Sequence, residues 1–175
     1  MVYIWGDNSY SETGDGTTSI KYEPVLISNL SNVQVIEIGG HNAAVITEAG
    51  DLYAWGNNSK GQLGNGATEK SFTPIIVDGI TDVKFVSLGT YHTLAVTNDG
   101  SVYTWGRGES MYNSSTNYSY TPVQINDLAN VKEVAAGSEH SIVLTDNGEI
   151  YTWGTNYFGQ LGNGKISAKN RLEKI

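Results

Sequence analysis

The chain has 175 residues, of which only 16% are charged, with 21 Gly, 11 Tyr, 4 Trp and no Cys. Eighteen acidic residues face ten basic ones, and four of the basic residues, Lys165, Lys169, Arg171 and Lys174, lie in the last eleven positions; a body this acidic repels nucleic acid and anionic membrane, which are bound by neutralising phosphates with Lys and Arg. Without cysteine there is no disulfide framework and no thiolate zinc site, and no apolar run approaches the ~20 residues of a membrane helix.

The first predicted element is "VYIWG" (2–6), an apolar strand not preceded by a charged-then-apolar leader. With Met1 as the native start the chain is expected to be cytoplasmic; the alternative is a leader removed beforehand. "SETGDG" (11–16) follows as a loop. Its neighbourhood holds Asp7, Glu12 and Asp15, an acidic cluster without the D-x-[DN]-x-[DN]-G register of a calcium loop, and it reads as a solvated loop.

Next come "PVLI" (24–27), "VQVIEIG" (33–39), "AAVIT" (43–47) and "LYAWG" (52–56), four short strands in succession. "WGNNSKGQLGNG" (55–66) then raises the prospect of a phosphate-binding loop, which requires a lysine and a hydroxyl directly after its glycines at a helix start. Ala67, Thr68, Glu69 and Lys70 stand there instead, and the stretch returns as "WGTNYFGQLGNG" (153–164). The same order of strands recurs as "PIIV", "VKFVSLG", "TLAVT" and "VYTWG" (74–106), and again as "PVQI", "VKEVAAG", "SIVLT" and "IYTWG" (122–154).

Trp5, Trp55, Trp105 and Trp153 are spaced 50, 50 and 48 residues apart, and Pro24, Pro74 and Pro122 keep the same interval. Self-similarity at this period signals a repeat architecture. Asp99-Gly100 and Asn147-Gly148 predict two-residue turns with positive φ between the third and fourth strands, with Ala49-Gly50 a poorer version. In the fourth strand Tyr and Trp occupy one face and aliphatic residues or Thr the other, so both faces need covering. Four-stranded antiparallel sheets stacked around an axis meet that need, and the expected fold is an all-β propeller. The blades are read as about 24–56, 74–106 and 122–154, with 1–23 a closing strand and loop and 155–175 a loop leading to a further blade or a tail. The opening strand has no third-strand partner of its own and counts as an orphan.

The pattern G-x-x-H, an apolar strand, a turn glycine, V-Y-x-W-G and then G-Q-L-G-x-G resembles the regulator of chromosome condensation repeat over essentially the whole chain. That resemblance implies a propeller acting chiefly through protein contacts, seven-bladed in the best-known members. Asn42 departs from the pattern where later units carry His92 and His140, and "MYNSST" (111–116) replaces the glycine loop. After Gly164 the tail lacks the expected proline and is expected to pair imperfectly or form something else. Three blades and a strand leave apolar faces and unpaired edges; a fragment of a longer array is the expected explanation, self-association of partial propellers the second.

His92 and His140 recur at equivalent positions and read as structural, each bonding backbone in the turn before its strand. Gly61, Gly64, Gly66, Gly159, Gly162 and Gly164 read as left-handed or crowded loop positions. No catalytic set can be assembled, since each candidate recurs with the repeat or lacks a partner at defined spacing; the chain is expected to be non-enzymatic, with no cofactor and no metal. Residues that break the repeat on loops are the candidate partner contacts: Tyr10, Lys60, Arg107, Glu109, Met111, Tyr112, Tyr118, Tyr120, Tyr157 and Phe158. Exposed Tyr, Arg, Met and Phe are what protein interfaces use as anchors.

The resulting expectation is a scaffold that binds another protein through rim loops. Guanine-nucleotide exchange or chromatin association by family resemblance, propeller-type enzyme inhibition, and completion of a propeller by self-association are the alternatives. Partners are expected to be proteins rather than nucleic acid or membrane.

Overall fold

The computed structural model describes residues 1–107 and 118–175. Among them every regular element is a β-strand, and the strands form three four-stranded antiparallel sheets and one two-stranded sheet. The two-stranded sheet pairs β1 (Val2–Gly6) with β2 (Lys21–Ile27). The first full blade holds β3 (Val33–Gly39), β4 (Asn42–Thr47), β5 (Leu52–Gly56) and β6 (Ser71–Ile76). The second holds β7 (Val83–Leu88), β8 (His92–Thr97), β9 (Val102–Arg107) and β10 (Tyr118–Gln124), and the third β11 (Val131–Ala136), β12 (His140–Thr145), β13 (Ile150–Asn156) and β14 (Ser167–Lys174).

This grouping corrects the blade limits read from the repeat. The repeat pattern places each proline strand with the strands that follow it, whereas β2, β6 and β10 pair with the tryptophan strand that precedes them. The long glycine loop reverses the chain beside the tryptophan strand, and the connection after the proline strand crosses to the next blade. The orphan strand β1 therefore has a partner on its outer side, and β1–β2 is the outer half of a blade. The tail does pair irregularly, with two register shifts, but as β14, the outer strand of the third blade, rather than as the start of a further one.

The prolines sit where the ladder can spare an N–H. Pro74 falls between the paired residues Ser71 and Ile75, where the register shifts, and Pro24 and Pro122 fall in the matching irregularities of β2 and β10. Outer strands and bulges are the places where a sheet tolerates proline. The hairpins between the second and third strands of each blade also differ from expectation. Thr97 N–H donates to the Ser101 carbonyl across a three-residue loop in which only Gly100 has positive φ (+81°). Thr47 to Asp51 and Thr145 to Glu149 close in the same way, so Ala49-Gly50 is equivalent to the other two. A type I turn followed by a left-handed glycine matches strand twist as well as the two-residue turn does.

The inner strands β3, β7 and β11 lie side by side, linked where Ser87 Oγ meets Glu37 Oε1 (3.3 Å) and accepts from Ala136 N–H (3.1 Å). The core consists of the layers between successive sheets. Val2, Ile4 and Ile27 pack on Ala43, Val45 and Trp55; Ala44, Ile46 and Leu52 on Val86, Ala95 and Trp105; and Leu94, Val96 and Val102 on Val143 and Trp153. Trp55, Trp105 and Trp153 are 1%, 0% and 0% exposed, whereas Trp5 is 60% exposed.

Candidate functional site

Consecutive antiparallel strands put their connections at alternating ends of a blade. The long glycine loops and the short turns before β4, β8 and β12 therefore share one rim, and backbone bonds join them: Asn57 N–H donates to the His41 carbonyl (2.9 Å), Arg107 N–H to that of Tyr91 (2.8 Å) and Thr155 N–H to that of Glu139 (3.0 Å).

Each glycine loop is built around one buried asparagine that the sequence reading did not single out. Asn58 accepts from Leu63 N–H (2.9 Å) and donates to the carbonyls of Ala67 (3.0 Å) and Glu69 (3.1 Å). Asn8 does the same toward Thr13, Thr17 and Ser19, and Asn156 toward Leu161 and Lys165. All three are completely buried, where an amide must satisfy its hydrogen bonds internally. The signal was present, since each stands three residues after a tryptophan. Gly61, Gly64 and Gly66 have φ of +78°, +75° and +79°, and Gly159, Gly162 and Gly164 of +74°, +70° and +71°.

A second clamp presents the variable residue at the loop tip. The backbone N–H of Lys60 donates to Gln62 Oε1 (2.8 Å), that of Phe158 to Gln160 Oε1 (2.9 Å) and that of Tyr10 to Glu12 Oε2 (2.8 Å). The backbone is thus fixed by repeating residues while the side chain at the tip is free to vary. Phe158 and Tyr157 project into solvent, 92% and 57% exposed.

Three groups of non-repeating residues bridge successive blades on this rim. Tyr10 lies against His41 with ring centroids 4.3 Å apart and the planes tilted by 34°, and His41 Nδ1 lies 3.3 Å from Glu12 Oε1. The Lys60 ammonium sits 5.5 Å above the ring of Tyr118, which is stacked on Tyr120 at 6.3 Å. Tyr120 also lies against the Gly61 backbone, where a Cβ would come within 2.3 Å of its ring. Arg107 Nη1 donates to Glu139 Oε1 (2.5 Å), and its guanidinium stands 5.8 Å from the centre of the Tyr91 ring. Tyr91 escaped the sequence reading because its neighbour Arg107 is brought in by a different loop. Glu109, Met111 and Tyr112 lie outside the described residues.

The two histidines of the repeat are not on this surface in the same way. His92 is completely buried, and its Nε2 meets Ser141 Oγ of the next blade at 3.1 Å, so it reaches across the blade interface rather than to backbone in its own turn. Burial, helped by the nearby His140, lowers its pKa from 6.5 to about 3, and it is neutral at ordinary pH. The rim as a whole offers exposed aromatic rings, some beside a cation, on loops locked from below.

Two family models described as the regulator of chromosome condensation (RCC1) repeat match the sequence, one at residues 49–96 and 99–144, the other at 33–62, 83–110 and 131–160. Among solved structures, human WBSCR16 superposes with a TM-score of 0.90 at 23% identity, over 99% of this chain and 48% of that one. Prp20p from Saccharomyces cerevisiae, described with its binding to Gsp1p and histones, gives 0.87 at 23% identity over 100% and 46%. Yeast RCC1 (Prp20) with Kap60 bound gives 0.81 at 22% identity over 100% and 44%. The chain spans about half the length of these structures, and at such identities the likeness is one of fold.

Proposed function

The chain belongs to the regulator of chromosome condensation repeat family, and on that premise we propose that it is a non-catalytic module that binds another protein through the glycine-loop rim. The observation that carries this reading is the split within each glycine loop: the buried asparagine and the tip clamp repeat, while the tip residue varies between exposed Tyr10 and Phe158 and half-buried Lys60. A scaffold position repeats because the fold requires it, whereas a partner contact is free to differ. Tyr118, Tyr120, Tyr157 and Phe158 are the proposed anchors, with Lys60 and Arg107 holding neighbouring rings in place. The family relatives whose structures are described with Gsp1p, histones or Kap60 support a protein as the partner, and the net charge of −8 favours one with a basic surface.

The test is affinity capture with the wild-type chain beside a Tyr118→Ala/Tyr120→Ala/Phe158→Ala variant of matched thermal stability. A partner held by the wild type should lose on the order of 10²-fold or more in affinity for the variant, as truncation of aromatic anchors does. A partner retained equally by both would refute the rim assignment.

A further inference from the structure

Inside the chain the first two full blades are each fastened to the sheet before them by the same contact. Trp55 Nε1–H donates to the Glu12 carbonyl (2.7 Å) and Trp105 Nε1–H to the Gln62 carbonyl (2.9 Å). In both cases the indole lies against a loop glycine: a Cβ on Gly14 would stand 2.7 Å from Trp55 Nε1, and one on Gly64 2.7 Å from Trp105 Nε1. A tryptophan of one blade is thus a plug, and the glycine loop of the preceding blade is its socket.

Among the described residues a plug position on β1 and a socket position in the third blade stand open. Trp5 holds the plug position on β1 and is 60% exposed, beside Tyr3 at 50%. In the third blade Gln160 and Gly162 hold the socket position, and a Cβ on Gly162 would meet nothing nearer than Ile175 Cγ2 at 4.0 Å. The sheet face beside this socket is open as well. Ile142 and Leu144 are only partly buried, whereas their counterparts Leu94 and Val96 in the second blade, and Ala44 and Ile46 in the first, are at most 1% exposed. With Val134 and Ala135 they line a shallow groove of about 200 Å³. The unused plug and the unused socket are the two halves of an interface the molecule already makes twice.

We propose that copies of this chain associate head to tail, the second copy seating its Trp5 against Gly162 and the Gln160 carbonyl of the first and covering the Ile142–Leu144 face. The contact is heterologous, so it propagates until rotation closes a ring or continues as an open chain. The socket lies in the same loop as the Phe158 tip but uses the Gln160 carbonyl and Gly162, not the tip side chains, so different substitutions test the two proposals.

Two variants test it, Trp5→Ala to remove the plug and Gly162→Asn to fill the socket, asparagine being tolerated at positive φ. Circular dichroism and thermal melting first establish that both fold. In sedimentation velocity over a concentration series, the wild type is expected to rise above the 18.9 kDa of a single chain. Each variant alone should associate at least about tenfold more weakly, and the two mixed should form a 1:1 pair that grows no further, because together they retain one plug and one socket. A folded wild type that remains monomeric throughout, variants that associate like the wild type, or a mixture that stays monomeric would each overturn the proposal.

Discussion

Between the second and third blades, His92 shows how burial sets a side chain's chemistry. Its folded pKa is depressed to about 3, while the unfolded chain takes up the proton near 6.5. Stability from this group is therefore complete above pH 6.5 and declines as pH falls toward 3, by up to about 1.4 kcal/mol per pH unit. His140, lowered by its own partial burial, adds a change of the same sign. Carboxylates held low by hydrogen bonds, such as Glu149 with Lys174 and Tyr151, titrate in the unfolded chain near 4.3, so the interval from pH 7 to 5 isolates the histidines. Urea midpoints measured across it should fall for the wild type and fall distinctly less for His92→Gln; equal slopes would clear His92 of the effect.

At the level of the element, the glycine loop is the part of the repeat most exposed to single-atom disruption. Gly64 and Gly66 share positive φ, and alanine at either meets the left-handed strain of about 1–2 kcal/mol. They differ in surroundings: a Cβ on Gly64 runs into the Trp105 indole, while one on Gly66 finds only Thr121 Cγ2 at 3.9 Å. Overpacking adds about 1–3 kcal/mol, so in denaturant titrations Gly64→Ala should cost about 2–5 kcal/mol and Gly66→Ala about 1–2. Similar losses would mean that the loop yields around the indole. The repeat itself was legible because a tryptophan and a proline recur at fixed intervals, yet the blade limits were displaced by one strand. A periodic pattern states its period but not its phase, which is decided by pairing across a long loop. The loop asparagines follow three of the four tryptophans at the same distance, but a polar residue among many loop asparagines carries no mark of burial. The Arg107–Glu139 pair had no local signal, since its members lie 32 residues apart on separate blades.

For the whole molecule, stability resides in the layers between sheets, and the four tryptophans measure that directly. They occupy equivalent positions on β1, β5, β9 and β13, with the same residue type, the same following glycine and a tyrosine two positions earlier. Propensity and covalent geometry are therefore matched, and what differs is the presence of a neighbouring sheet. Trp105 lies against Gly64 and packs among Ile46, Leu52, Leu63 and Val86, so Trp105→Ala leaves a large cavity and should cost about 3–5 kcal/mol. Trp5 presents the same surface to solvent, and Trp5→Ala should change the stability of the isolated chain by about 0.5 kcal/mol or less, as surface substitutions do. Guanidinium unfolding at high dilution, where chains are separate, reads both numbers from one protein. A gap of several kcal/mol between the two variants would establish stacking of successive blades as the source of stability, since the tryptophan strand would then contribute little by itself. Comparable losses would place the energy within the individual hairpin, and single blades should then fold alone.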